Sequence, residues 1–422
     1  MGGTTRPARA SSRLLPALLV AGLGLGATGA WGQDTGGVLL SFGLNQSLRS
    51  ESNPGLSNPS AKSRLTSRTQ LSFSAVTETR TQRLALTAQG VVIAGDSKTK
   101  GFAEPSANLS YRLESANSLL SLSAAIREQD VDALDFFLDT DDATGLPVIT
   151  SVSGTGTQRI TTYGGSLEFG REAPFGGTVS LNRVDTRYSG TTDPSLIDST
   201  RDTARLSLRF DLSPATTLTA SASASRLDEV GAATTSTTKT LTLGLDHARP
   251  NGKITAEASV TDTASGRRES LSFGRSYDLP TGELTARIGV TSQAQGGTAV
   301  TGSLGWKQDL PNGALSLGLS RSVTGDSRDN ETRLTRLNLG LTRELSPSIT
   351  GSLNLGLQDS YATATAIGTR TTNISANLAY AMTEDWNLDL GATHRIRAKS
   401  GSASAASTTL TLALRRSFDF RP

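Results

Sequence analysis

Leu310-Pro311-Asn312-Gly313-Ala314-Leu315 reads as a tight turn between two extended segments, and variants of it recur along the chain. Leu279-Pro280-Thr281-Gly282-Glu283-Leu284, Leu212-Ser213-Pro214-Ala215-Thr216-Thr217-Leu218 and Leu345-Ser346-Pro347-Ser348-Ile349 share its form, and residues 248–254 and 382–386 follow it more loosely. Proline presets φ and glycine relaxes the backbone, which is what such turns require. Between the turns run segments such as Leu337-Asn338-Leu339-Gly340-Leu341, apolar at every second residue. Alternation of period two is the mark of a half-buried strand. The other ends of these strands meet in longer polar stretches rich in Gly, Ser, Thr and Asp. One unit takes about 31–37 residues, enough for two strands of roughly 10–12 residues, a short turn and a longer loop.

Short turns at one end and longer loops at the other are the layout of a transmembrane β-barrel, with short periplasmic turns and longer outer loops. The expected fold is all-β: one closed antiparallel barrel of about 20 strands, within a range of about 18–22. The clearest strands are 65–75, 107–113, 120–126, 204–212, 218–224, 241–245, 254–260, 271–279, 284–290, 300–310, 315–319, 337–345, 349–357, 374–382, 386–392 and 410–420. Prolines are read as confined to turns and loops, where a missing N–H is harmless. No linker or change of texture divides the chain.

The N-terminus reads as an export signal. Arg6, Arg9 and Arg13 precede the apolar run 14–26, and Ala30-Trp31-Gly32 offers small residues for cleavage before Gln33. Residues 1–32 are therefore the expected signal peptide and 33–422 the expected barrel domain. Beyond the leader no apolar run reaches the roughly 18–20 residues of a membrane helix. The 41 Lys and Arg, less three in the leader, equal the 38 Asp and Glu, so charge gives no reason to expect nucleic acid. There is no Cys, which excludes disulfides, thiolate metal sites and a lipid-modified N-terminal cysteine.

At the C-terminus Leu410, Leu412, Leu414, Phe418 and Phe420 share one face, interrupted by Arg416, and Arg421 and Pro422 follow. With the leader and the hairpin spacing, this last strand makes the chain resemble the porin-like outer-membrane barrels of Gram-negative bacteria. The resemblance spans the whole mature chain and rests on pattern, with no diagnostic motif. It implies outer-membrane lipid as the surroundings, the barrel-assembly machinery as the partner that reads the last strand, and small hydrophilic solutes as cargo. Passage or anchoring of an exopolysaccharide is the alternative. Porins are often oligomers, and no interface patch is visible in the sequence.

In such a barrel the apolar face meets lipid and the polar face lines the lumen. A charge at the lipid midplane costs roughly 2–4 kcal/mol for Arg or Lys, which assigns the strand charges inward. The candidate pore lining is Arg112, Arg127, Glu168, Arg205, Arg209, Asp246, Glu257, Arg287, Lys307, Arg336, Asp389, Arg395 and Arg415, with bases predominant. Aromatic residues are few, yet Phe169, Phe175, Phe210, Tyr277, Trp306, Tyr380, Trp386, Phe418 and Phe420 sit beside the tight turns, as an interfacial girdle requires.

Residues 129–157 form the one long insertion, by count the third outer loop. It carries Asp130, Asp132, Asp135, Asp139, Asp141 and Asp142 with Leu134, Phe136, Phe137 and Leu138, and no base before residue 157. Folded into the lumen, it would set acids against wall arginines and constrict the pore; the porin resemblance implies the same, and an ordinary surface loop is the alternative. Asp139 to Gly145 fails the calcium-loop spacing at Ala143 and lacks the bidentate acid. No cofactor or metal is expected.

Catalysis is not expected either. The two histidines are His247 and His394, and His247 cannot pair with Asp246, since adjacent strand residues face opposite ways. A secreted β-repeat protein remains a third reading, though its turns should be equivalent on both sides.

Overall fold

The computed structural model describes residues 37–96, 100–131, 138–141, 146–149, 156–191, 193–194, 196–232, 235–294, 296–325, 331–362 and 368–420. The expected signal peptide lies outside them. In chain order the strands are β1 (Val38–Glu51), β2 (Arg64–Glu78), β3 (Gln82–Gly95), β4 (Gly101–Glu114), β5 (Ser118–Asp130), β6 (Leu138–Asp141) and β7 (Leu146–Ile149). Next come β8 (Thr157–Phe169), β9 (Phe175–Ser189), β10 (Ser199–Ser213), β11 (Thr216–Glu229), β12 (Ser236–Arg249), β13 (Gly252–Thr263), β14 (Gly266–Leu279) and β15 (Gly282–Ser292). The last are β16 (Thr298–Leu310), β17 (Gly313–Gly325), β18 (Glu331–Ser346), β19 (Ile349–Ala362), β20 (Gly368–Ala381), β21 (Trp386–Lys399) and β22 (Ala405–Phe420).

All but β6 and β7 belong to one 20-stranded sheet. Each strand pairs antiparallel with its neighbours along the chain, and β1 pairs with β22 from Leu40↔Phe420 to Glu51↔Thr409. The sheet therefore closes on itself, as the hairpin repeat predicts, and a solenoid is ruled out. With strands about 4.8 Å apart and tilted about 40°, twenty of them enclose a backbone cylinder about 40 Å across. β6 and β7 pair only with each other.

Of the sixteen strands read most clearly from sequence, fifteen fall inside observed strands, and 374–382 overruns β20 by Met382 alone. The other four are β1, β3, β8 and β9, whose alternation is blurred. On β9 the apolar face of Val179 and Leu181 continues into Arg183, Asp185 and Arg187, while Val184 sits on the polar face. The barrel strands run 11–16 residues, and all but β13 and β15 exceed the expected length. Polar alternation continues past the apolar band, and the extra residues keep pairing. The loops shorten to match: β13 and β14 are joined by Ala264 and Ser265 alone. Pro105 also departs from expectation, since it lies within β4, at a register shift between Gln89 and Val91 of β3. A bulge leaves a position whose N–H is not needed, so proline fits there.

The turns explain why one end is tight. At Gly282 and Gly313 a Cβ would lie 2.0 Å from the carbonyl oxygens of Lys307 and Thr342, so only glycine lets the next strand pass. The core is inverted relative to a water-soluble protein. Leu241, Leu243, Leu271, Phe273, Ile288 and Val300 are 44–66% exposed on one continuous face. Nearly all strand side chains that are under a tenth exposed, among them Glu51, Thr261, Ser276, Thr291, Ser407 and Thr409, fall on the other face, which is the concave one. An apolar face this extensive needs lipid or a partner to cover it.

Candidate functional site

The inner wall is the site. Cross-strand partners share a face, so the register assigns every position. Leu243↔Ala258↔Leu271↔Val290 runs along the outside, and Gly244↔Glu257↔Ser272↔Gly289 along the inside. Carried round the barrel, the inner face is mostly Ser, Thr, Asn, Gln and Gly. The register puts all thirteen candidate lining residues on that face.

Most of the wall charges are engaged sideways. Arg415 donates to Asp389 at 2.6 Å, Arg287 pairs with Glu257 at 3.3 Å, Lys253 with Asp246 at 3.2 Å, and Arg112 with Glu114 at 3.0 Å. Arg209 fastens the turn 170–174, donating to the carbonyls of Gly170 and Ala173 at 2.7 and 2.8 Å. In that turn Arg171 pairs with Glu114 at 2.7 Å, and the carboxylate raises the guanidinium pKa above its ordinary value.

The sequence reading of a generally basic lumen needs correction. Glu78, Glu114, Glu168, Asp211, Asp246, Asp278, Glu283, Asp309, Glu344, Asp389 and Asp419 all lie on the inner face within a few residues of the short-turn end. Toward the long-loop end stand Arg49, Arg64, Arg68, Arg127, Arg201, Arg205, Arg268, Arg336, Arg395 and Arg397, with Glu51 and Glu229. At the short-turn rim these acids outnumber the inward bases Arg83, Arg112, Arg209, Lys253, Lys307 and Arg415, which pair with several of them, and in the far half the arginines outnumber Glu51, Glu104 and Glu229. Glu168, Asp246 and Asp389 belong to the expected lining, whereas Asp211, Asp278, Asp309, Glu344 and Asp419 fall inside expected strands without a face assigned to them.

A second missed cluster surrounds Glu51, whose side chain is 4% exposed. Its carboxylate accepts from Arg49 at 3.1 Å, Arg64 at 3.2 Å and Arg395 at 2.8 Å. Above it, buried Asn53 donates to the carbonyls of Ser57 and Ala406 at 3.0 and 3.1 Å and accepts from the Ala61 amide at 2.9 Å. Arg397 donates to the Leu56 carbonyl at 3.0 Å. These contacts tie the loop 52–63 across the seam where β1 meets β22. The alternation Asn45, Ser47, Arg49, Glu51 was the available signal.

The expected constriction loop is only partly described. Asp130 closes β5 opposite Thr157, on the outward register. Asp139 and Asp141 belong to β6. Asp132, Asp135, Phe136, Phe137 and Asp142 lie outside the described residues. At the root of the loop Val131 is fully buried against Tyr188 and Leu196.

On the outside, the nine candidate girdle aromatics all fall on the apolar face at the short-turn end. Phe175 and Phe210 pack with ring centres 5.1 Å apart, and Phe169 and Phe175 at 6.1 Å. Arg416, which breaks the apolar face of the last strand, stacks on Phe418 and Trp386. His247 and His394 also face outward, bonded through Nδ1 to Thr216 and Thr408 at 2.9 Å. A groove of about 550 Å³ on the outer face of β8–β12 is floored by Gly165, Ala204 and Ala224.

No family model matches the sequence, and no curated protein matches it. Solved structures do resemble it. The ferric enterobactin receptor PfeA of Pseudomonas aeruginosa aligns over 90% of this chain and 80% of its own at 12% identity, TM-score 0.53. The siderophore receptor PirA of the same organism aligns over 92% and 81% at 12% identity, TM-score 0.52. The P. aeruginosa outer membrane protein opdK aligns over 90% and 99% at 13% identity, TM-score 0.47. At these identities the likeness speaks for fold. What the likeness to the two receptors supports is the architecture seen in the pairing itself, a closed antiparallel β-barrel.

Proposed function

We propose that the chain is an outer-membrane channel through which small hydrophilic solutes diffuse passively, without catalysis. The observation that carries this reading is the inverted wall: closed by twenty strands, apolar outside, and lined inside by short hydroxyl, amide and glycine positions. Large barrels with polar interiors are built to hold water. The nine aromatics at the short-turn end fit one membrane interface, and export by the N-terminal signal fits the same location.

The two charge zones suggest how ions would fare. Anions are drawn to the basic long-loop half and meet the acidic rim at the far end; cations meet the reverse. The test is current through single folded barrels in a planar bilayer under a salt gradient. Steady steps whose size differs between the two voltage polarities are the expected result. Absence of current from protein shown to be inserted would overturn the channel reading.

Passage of a neutral polysaccharide is the second reading, and one stretch of wall favours it. Across β17–β20 the inner face reads Ser316, Gly318, Ser320; Asn338, Gly340; Ser352, Asn354, Gly356; Asn373, Ser375, Asn377, with Arg336 as the one charge in that band among the described residues. Block of the current by neutral oligosaccharides, but not by charged ones of equal length, would favour it over general diffusion.

A further inference from the structure

The outer surface holds a second site, unrelated to the lumen. At the short-turn end of β12–β14, outward Arg249 pairs in register with Gly252, and outward Arg275 pairs with Ile254, whose other partner is His247. The two arginines flank the end of β13, two strands or about 10 Å apart. Arg275 lies 4.5 Å from the centre of the Tyr277 ring and donates through Nη2 to the Asn251 side-chain oxygen at 2.8 Å, with no carboxylate partner among the described residues. Arg249 is exposed and has no acidic partner among the described residues. The nearby acids Asp246, Asp278 and Glu283 all face the lumen, and Lys253 takes Asp246. Directly above the arginines the same face continues as Leu245, Ile254, Ala256 and Phe273, an apolar strip aligned with the strands.

We propose that Arg249 and Arg275 bind the phosphate headgroup of an anionic phospholipid in the leaflet on the short-turn side, with an acyl chain along the strip above β13. Two guanidinium groups without a counterion need an anion, and phosphate matches their planar donors. The arrangement sits at the aromatic band, where headgroups belong. Acids placed on the inner face cannot compete, because the wall separates them from the site.

The site rests on the membrane reading, so the experiment separates the two. The folded full chain is inserted into vesicles of phosphatidylcholine alone and of phosphatidylcholine with phosphatidylglycerol, then extracted gently and weighed intact with its retained lipid. The expected result is a single retained phosphatidylglycerol, preferred about thirtyfold, as two arginines near a headgroup imply. The preference should collapse in high salt with the wild-type chain, and in Arg249→Gln/Arg275→Gln, while Arg343→Gln leaves it intact. Insertion with equal retention of both lipids, or a preference that survives the double substitution, would overturn the site alone. Failure to insert into either vesicle would overturn the membrane reading and the site with it. The salt arm needs no variant, so a double variant that folds poorly does not rescue the idea.

Discussion

The two ends of the outer wall carry charge in different company. At the long-loop end Arg159, Arg183, Arg187, Arg226, Arg267 and Arg370 each lie 2.8–3.7 Å from a carboxylate on the protein itself. At the short-turn end the outward strand cations among the described residues are Arg249, Arg275, Arg343 and Arg416, and the acid within reach of them there is Asp385, 3.9 Å from Arg416. Rings take the place of acids there, at Tyr277, Trp386 and Phe418. At the long-loop end most outward arginines meet a carboxylate, though Arg333 lies over the Tyr361 ring; at the short-turn end more of the positive charge is left for the surroundings. Most strand acids of the short-turn end lie on the inner face, where they outnumber the bases beside them, while the charges on the outer strand face there are cationic.

Turn geometry offers the harshest way to break this contrast. Gly313→Val should abolish the folded, heat-modifiable band on SDS gels, because the new Cβ would strike the Thr342 carbonyl. Gly401→Ser at the opposite end meets open space at φ +77° and should cost only about 1–2 kcal/mol. A folded Gly313→Val barrel would show that the short turns are not set by glycine.

Removing a carboxylate comes next. Glu51→Gln leaves three guanidinium groups around a buried amide and should lower unfolding stability by about 3–5 kcal/mol, read from urea midpoints. Asp246→Asn at the short-turn rim breaks an exposed pair and should cost no more than about 1 kcal/mol. Equal costs would mean that the Glu51 cluster is as well hydrated as the rim.

The height of the apolar band is tested by placing one arginine at two levels. Leu243→Arg should destabilise the inserted barrel by about 2–4 kcal/mol, and Thr237→Arg, level with Arg226, by about 0–1 kcal/mol. The smallest effect is on ion preference. Asp278→Asn with Glu283→Gln and Asp309→Asn should shift the reversal potential toward anions, and Arg336→Gln should shift it toward cations. If neither moves it, the wall charges do not govern permeation.

Much of this was legible in the chain because period-two alternation is strong where one face is purely Leu and the other Ser, Thr or Gly. β14, with Leu271 and Phe273 against Ser270 and Ser272, could be assigned from six residues. β9 could not, since its lipid-side register ends in Arg183, Asp185 and Arg187, charges that alternation alone would send inward. Only pairing with Tyr163 and Asp202 fixes their direction. The lining set was readable for the same reason that the acid rim was not. A charge in mid-strand has apolar neighbours on the other register to declare its face, whereas at a strand end the apolar alternation runs out. The Glu51 cluster joins residues more than three hundred positions apart, a relation that no local pattern carries.

That last distance governs when the molecule can exist. Arg395 reaches a carboxylate 344 residues earlier, and the final strand completes its hydrogen bonds only with the first. A chain whose last strand is not yet in place has two raw strand edges, each a template for the wrong neighbour. Contacts of such long sequence separation form late and slowly. The wall can therefore close only once the whole chain has been made, and until then both edges stay open to wrong neighbours.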